Sequence, residues 1–182
     1  MTERLELTGA PGSPYTRKML ALLRFRHIPY NMIWGGVTGA PEGYPKPKVQ
    51  LLPTFYFRDD EGKLEAAVDS TPIIRRLECQ YPGPSVIPDH EVLRFLDLLI
   101  EDYADEWLTK VMFHFRWAFE ADAEHAGPLL IHWANPNLPD NQVGMMAAQF
   151  SKRQIDRLYV VGSNGITAKT IEDSYIRLLA LL

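Results

Sequence analysis

The chain has almost none of the sulfur that redox chemistry needs: its 182 residues include one cysteine, Cys79. A single thiol excludes an internal disulfide and a Cys-x-x-Cys redox pair. In "RRLECQYP" it reads as a helix residue in preference to a nucleophile. A dominant charge is missing as well. Nineteen Lys and Arg against 23 Asp and Glu give a net charge of −4. With no long single-sign run, no nucleic-acid or membrane surface is expected. No apolar run approaches the roughly 20 residues of a bilayer span. The opening "MTERLELTG" places charges where a secretion signal needs an apolar core, so the expected location is cytoplasmic. The five histidines show no HxxxH-type spacing, and no metal is expected.

What is present divides into an early half with strands and a later half without them. "RLELTG" alternates and closes on Gly9. "YTRKMLALLRFRHI" then sets Met19, Leu22, Leu23 and Phe25 on one helical face, with Ser13 as candidate N-cap and Pro14 at the first helical position. "IPYNMIWGG" reads as a second strand, and strand, helix, strand favours parallel pairing with a right-handed crossover. "GGVTGAPEGYPKPK" is too rich in Gly and Pro for regular structure. "TFYFRDDEGKLEAAV" is two strands around a turn, and "DSTPIIRRLECQYPG" is a capped helix starting at Ser70 and ending near Pro82-Gly83. After the Pro-rich "YPGPSVIPDH", helical spacing runs for some 30 positions from Glu91, and again in "NQVGMMAAQFSKRQIDRLYVVG" and "TAKTIEDSYIRLLALL". The expected organisation is residues 1–80, a linker over 81–90, and a helical domain over 91–182.

Three short motifs carry chemistry. "SPYTRK", residues 13–18, sits at the first strand-to-helix turn; its Ser13-Pro14-Tyr15-Thr16 core has the shape of a redox Cys-Pro-Tyr-Cys turn with oxygens in place of both sulfurs. "LLPTF", residues 51–55, enters the third strand through a proline. "VDSTPII", residues 68–74, starts a helix with Asp69 and Ser70. A helix start presents free N–H groups to a carboxylate, and Asp69 can face an ammonium; both residues can equally well do no more than cap the helix. Ser13 can likewise be a plain N-cap, and the two roles coexist because capping uses an oxygen lone pair while the hydroxyl proton remains.

In that order and at those intervals, the three motifs resemble the soluble, cytosolic-type glutathione S-transferases, in particular the serine-type members. The resemblance implies an α/β plus all-α fold: a thioredoxin-like N-terminal domain that binds glutathione, followed by a helical domain. It implies a cis peptide before Pro53. It implies that Ser13 stabilises the glutathione thiolate, that the Leu52 backbone pairs with the cysteinyl part of the ligand as an added strand, and that Asp69 and Ser70 hold the γ-glutamyl end. Lys48, with Lys46, is the candidate for the glycyl carboxylate.

Tyr15 is expected to pack, and Thr8 or Thr16 remains a possible alternative donor to the sulfur. The implied activity is conjugation of glutathione to an apolar electrophilic small molecule, in a homodimer. Alternatives are a glutathione-dependent isomerase, dehalogenase or lyase, and a non-catalytic glutathione-binding or interaction module. "SPYT" argues against a glutaredoxin-like oxidoreductase. "WLTKVMFHFRWAF", residues 107–119, has five Trp and Phe rings plus the His114 imidazole, which can line an acceptor pocket or form core. His114 and Arg116 alternate with the rings and can face such a pocket or serve structure. "TIED", residues 170–173, has capping spacing but falls inside a helical run. The chain stops within the apolar "IRLLALL", so the helical domain is expected to be incomplete.

Overall fold

The computed structural model describes residues 4–35, 39–135 and 137–182. They divide into two compact units, a first that runs to Val86 and takes in a short stretch beginning at Trp133, and a second that holds the rest of the chain from Ile87.

The first unit is a thioredoxin-like α/β layer. Strand β1 (Leu5–Gly9) alternates because Leu5 and Leu7 point into the core. Helix α1 (Pro14–Phe25) starts where expected, with Ser13 as N-cap and Pro14 at the first helical position, where its missing N–H has no helical partner to lose. Its core face is Met19, Leu20, Leu22 and Leu23. Phe25, expected on that face, is instead 56% exposed. It lies two residues beyond Leu23, about 200° further around the helix.

Strand β2 (Tyr30–Trp34) pairs parallel with β1 from Leu5↔Tyr30 to Gly9↔Trp34, as the strand–helix–strand order requires. Strands β3 (Thr54–Arg58) and β4 (Leu64–Ala67) form the expected hairpin. Asp59 Oδ1 closes its turn by accepting from the Glu61 and Lys63 N–H groups, and Gly62 supplies the φ of +78° that the turn needs. Helix α2 (Ser70–Gln80) completes the layer, and the sheet order is β2-β1-β3-β4, with β3 antiparallel to β1.

Leu5, Leu7, Phe55 and Phe57 on one sheet face meet the α1 apolar residues and Ile73, Ile74 and Leu77 of α2. On the other face Tyr56 takes Tyr44, with ring centroids 4.6 Å apart, from the described part of the Gly/Pro-rich segment, which contains no helix or strand over residues 39–53.

Gly9 is required by close approach. A Cβ there would meet Thr16 Cγ2 at 2.6 Å, Thr16 Oγ1 at 2.7 Å and Met32 Cε at 2.8 Å. Gly9→Ala is therefore expected to cost about 1–3 kcal/mol through overpacking. Thermal unfolding checks this, and a midpoint equal to that of the wild type would refute it.

The described residues of the second unit contain only helices and loops: α3 (Glu91–Asp102), a π-helical segment (Tyr103–Leu108), α4 (Thr109–Trp117), α5 (Glu120–Ala134, whose last two residues count with the first unit), α6 (Asp140–Ile155), a 3-10 turn (Leu158–Val161) and α7 (Ala168–Leu181). The 30-residue helical spacing is real, but the backbone does not follow it unbroken. It contains the π segment and stops at Ala118–Phe119, and α5 restarts with Glu120 and Asp122 in its first turn, where carboxylates suit a helix N-terminus. α4 buries Val111, His114 and Trp117. Its rings meet α6 through Trp117–Phe150 and α7 through Phe115–Tyr175, and Trp107 Nε1 donates to Ser174 Oγ over 2.7 Å. Of the aromatic run, His114 and Trp117 are core, Trp107, Phe113 and Phe115 are half-buried, and Phe119 is exposed. "TIED" does lie inside α7.

Candidate functional site

The site begins with how the chain leaves β1. Ser13 has extended backbone (φ −85°, ψ 119°), which lets its Oγ accept from the Thr16 N–H at 3.2 Å and cap α1. Capping uses a lone pair, so the hydroxyl proton is available elsewhere. Its nearest acceptor is the carbonyl oxygen of Leu52, 3.5 Å away. That separation is well beyond the ~2.7–2.8 Å of a good O–H···O bond, so the proton is weakly held. Ser13 and Leu52, 39 residues apart, are therefore neighbours.

The Leu52–Pro53 peptide is cis, the isomer that the resemblance implies. Pro53 is buried and Leu52 half-buried. Thr54 Oγ1 fixes the turn by donating to the Leu51 carbonyl at 2.8 Å.

At the third motif the N-cap of α2 is Asp69, whose Oδ1 accepts from the Thr71 N–H at 3.3 Å. Its φ of +79° is unusual for a residue with a Cβ. Strain of this kind persists only where surrounding structure enforces it, and it concentrates at binding sites. Ser70, only 6% exposed, does not cap; its Oγ accepts from Lys18 Nζ at 3.0 Å. Lys18 comes from the "SPYTRK" motif itself, but nothing in the sequence gives it a partner 52 residues away.

The other candidates separate clearly. Thr16 is fully buried and its Oγ1 accepts from the Ala10 N–H at 3.4 Å, while Thr8 is 1% exposed and shares a hydrogen bond with Tyr56. Both hydroxyls are thus buried within the unit, whereas Ser13 is half-buried. Tyr15 is half-buried. Lys46 and Lys48 are exposed, in the segment that leads to Leu52. His114 is buried in the helical unit, with Nδ1 2.8 Å from Ser163 Oγ and Nε2 3.4 Å from Glu172 Oε1. Both ring nitrogens are committed to α7 and the loop before it, so His114 is structural. Burial lowers the pKa of half-buried Arg116. Among the described residues no group of three or more His, Cys, Asp or Glu can hold a metal ion, and no helix is long and apolar enough to cross a membrane.

A hydroxyl at a helix start, a cis proline beside it and a second helix start with a strained acid all lie at one end of the first unit. Residues 7–85 match the family model for the glutathione S-transferase N-terminal domain. The first unit belongs to the glutathione S-transferase family. The match spans β1 to α2 and so includes every candidate residue, Ser13, Lys48, Leu52, Pro53, Asp69 and Ser70. A solved structure of a glutathione transferase family member from Pseudomonas fluorescens Pf-5, with S-(propanoic acid)-glutathione bound, is 22% identical; the match covers 86% of this chain and 68% of that one, with a TM-score of 0.41. No curated protein matches.

Proposed function

We propose that this glutathione S-transferase family protein binds glutathione, stabilises its thiolate with Ser13, and transfers the sulfur to an apolar electrophilic small molecule. One observation carries the reading: Ser13 Oγ lies 3.5 Å from the Leu52 carbonyl oxygen, beside the cis Leu52–Pro53 peptide. A ligand whose cysteinyl backbone pairs with Leu52 as an added strand brings its sulfur to the Ser13 hydroxyl without further rearrangement. The hydroxyl proton turns from the distant carbonyl to the sulfur, and the start of α1 adds a positive field.

Asp69 and Ser70 take the γ-glutamyl end and Lys48 the glycyl carboxylate. The domain assignment we propose is residues 1–80 for glutathione binding, a linker over 81–90, and a helical domain over 91–182. The working form is a cytoplasmic homodimer.

Isothermal titration with glutathione tests the binding, and Asp69→Asn tests the site. Asparagine keeps the cap on Thr71 and removes the charge, so affinity is expected to fall about tenfold, the size of one charge-assisted contact. The unfolding midpoint should move by no more than a few degrees. Failure of the wild type to bind refutes the proposal. Turnover with an aryl halide then distinguishes a transferase from a binding module.

A further inference from the structure

The first turn of α2 is short of donors for a helix end that has to hold a carboxylate. A helix start leaves up to four N–H groups without helical partners. Here the Thr71 N–H goes to the Asp69 carboxylate at 3.3 Å, the Ile73 N–H goes to the Asp69 carbonyl at 3.4 Å, and Pro72 has none. That leaves the N–H of Ser70. The field of the helix end is also opposed, because Asp69 places a full negative charge against roughly half a positive one. An incoming carboxylate would meet net repulsion from these two groups alone.

Lys18 reverses that balance. Its Nζ lies 3.0 Å from Ser70 Oγ, which is nearly buried, so the ammonium is fixed over the same turn. An ammonium has three donors and no acceptor, which makes Ser70 Oγ the acceptor in this contact and turns the serine's own proton away from Lys18. With Lys18 counted, the turn presents one negative group, Asp69, and two positive ones, the ammonium and the helix start. Two signs side by side are the complement of an α-amino acid zwitterion, with its ammonium toward Asp69 and its carboxylate toward Lys18 and Ser70.

We infer that Lys18 is a specificity-determining residue of this site, selecting ligands that carry a free α-carboxylate next to the ammonium that Asp69 receives. The inference rests on the glutathione reading, in which the γ-glutamyl group supplies that zwitterion. The competing account is that Lys18 only ties α1 to α2, in which case its loss would change stability and leave ligand choice alone.

The test compares glutathione with γ-aminobutyryl-cysteinyl-glycine, which lacks only the α-carboxylate, by titration calorimetry against the wild type, Lys18→Met and Lys18→Arg. The wild type is expected to prefer glutathione about 10- to 100-fold, the range of one charge-assisted contact. In Lys18→Met that preference should shrink to less than about fivefold, with affinity for the analogue within about twofold of wild type. Lys18→Arg should keep most of the preference. A preference that persists in Lys18→Met, or an equal loss for both ligands, overturns the inference. If Lys18→Met does not fold, Lys18→Gln, which keeps a donor for Ser70 and loses the charge, is read by the same criterion. A wild type that binds neither ligand overturns the glutathione reading and this inference with it. A wild type that binds both equally overturns this inference alone.

Discussion

Ser13→Ala is expected to raise the apparent pKa of the bound glutathione thiol by about one to two units, the share of the hydrogen bond, and to change the glutathione dissociation constant by less than about threefold. A free thiol titrates near 8.5, so at neutral pH it is mostly protonated and a poor nucleophile. Lowering that value by about two units takes roughly 2.7 kcal/mol. One hydrogen bond to a charged acceptor supplies about 1.5–3 kcal/mol, and a helix N-terminus about 0.3–1. Ser13 has both, because it caps α1 with a lone pair while its proton faces a carbonyl 3.5 Å away, too far to compete with a thiolate.

The thiolate fraction at pH 7 would fall by about 3- to 25-fold in the variant, and turnover with it. Affinity is expected to be spared, because in the proposed binding mode contacts to the peptide ends and the Leu52 backbone hold the ligand. Losing the cap also costs about 1 kcal/mol of stability, a drop of a few degrees that leaves the variant folded. Titration of the thiolate absorbance of the bound ligand gives the pKa directly. Thr8 and Thr16 are buried and hydrogen-bonded, and Tyr15→Phe, measured beside Ser13→Ala, separates the half-buried phenol from the serine. An unchanged pKa would remove Ser13 from the mechanism.

The parts of this molecule that are legible in its sequence are those where one residue type solves a local problem. Ser13-Pro14 fits a helix start, Asp59 and Gly62 fit a hairpin turn, and Leu5 and Leu7 alternate on a half-buried strand. Each is decided within a few residues, so reading along the chain finds them. The contacts that give the site its character cross the fold: Ser13 to Leu52 over 39 positions, and Lys18 to Ser70 over 52. No periodicity encodes them.

The strained φ of Asp69 is equally silent, since an aspartate before a helix predicts a cap and says nothing about its backbone. In the helical unit, spacing finds the helices but not the interruption at Ala118–Phe119, because both sides keep the same apolar pattern. The role of His114 depends on Ser163 and Glu172, which only tertiary packing brings to it.

Glu78→Leu is expected to be the most damaging single change in the first unit. Arg26, just past the end of α1, is 2% exposed, and its Nε lies 3.3 Å from Glu78 Oε1. Its other contacts are to the Pro84 carbonyl at 3.2 Å and the Tyr81 carbonyl at 2.7 Å. Glu78 in turn accepts from Ser85 Oγ at 2.8 Å and the Val86 N–H at 3.1 Å. The pair thus fastens the segment after α2 to the end of α1. Removing the carboxylate strands a buried guanidinium, which costs about 3–5 kcal/mol, or about 10 °C in a chain of this size.

The double variant Arg26→Met, Glu78→Leu should unfold at a higher temperature than Glu78→Leu alone. The charge that lost its partner is then gone, and so is Arg26 Nη1, a buried nitrogen without a hydrogen-bond partner. Thermal unfolding of both single variants and the double measures the coupling, and costs that simply add would show that the pair is not the fastening described. The same variants separate support from site. Arg26 is 13 residues along the chain from Ser13, about 20 Å of helix rise. Glutathione affinity measured well below the unfolding midpoint should therefore stay near the wild-type value, whereas Asp69→Asn and Lys18→Met lower it with little loss of stability. A tenfold loss of affinity in folded Arg26→Met would instead mean that the far ends of α1 and α2 set the geometry at their beginnings.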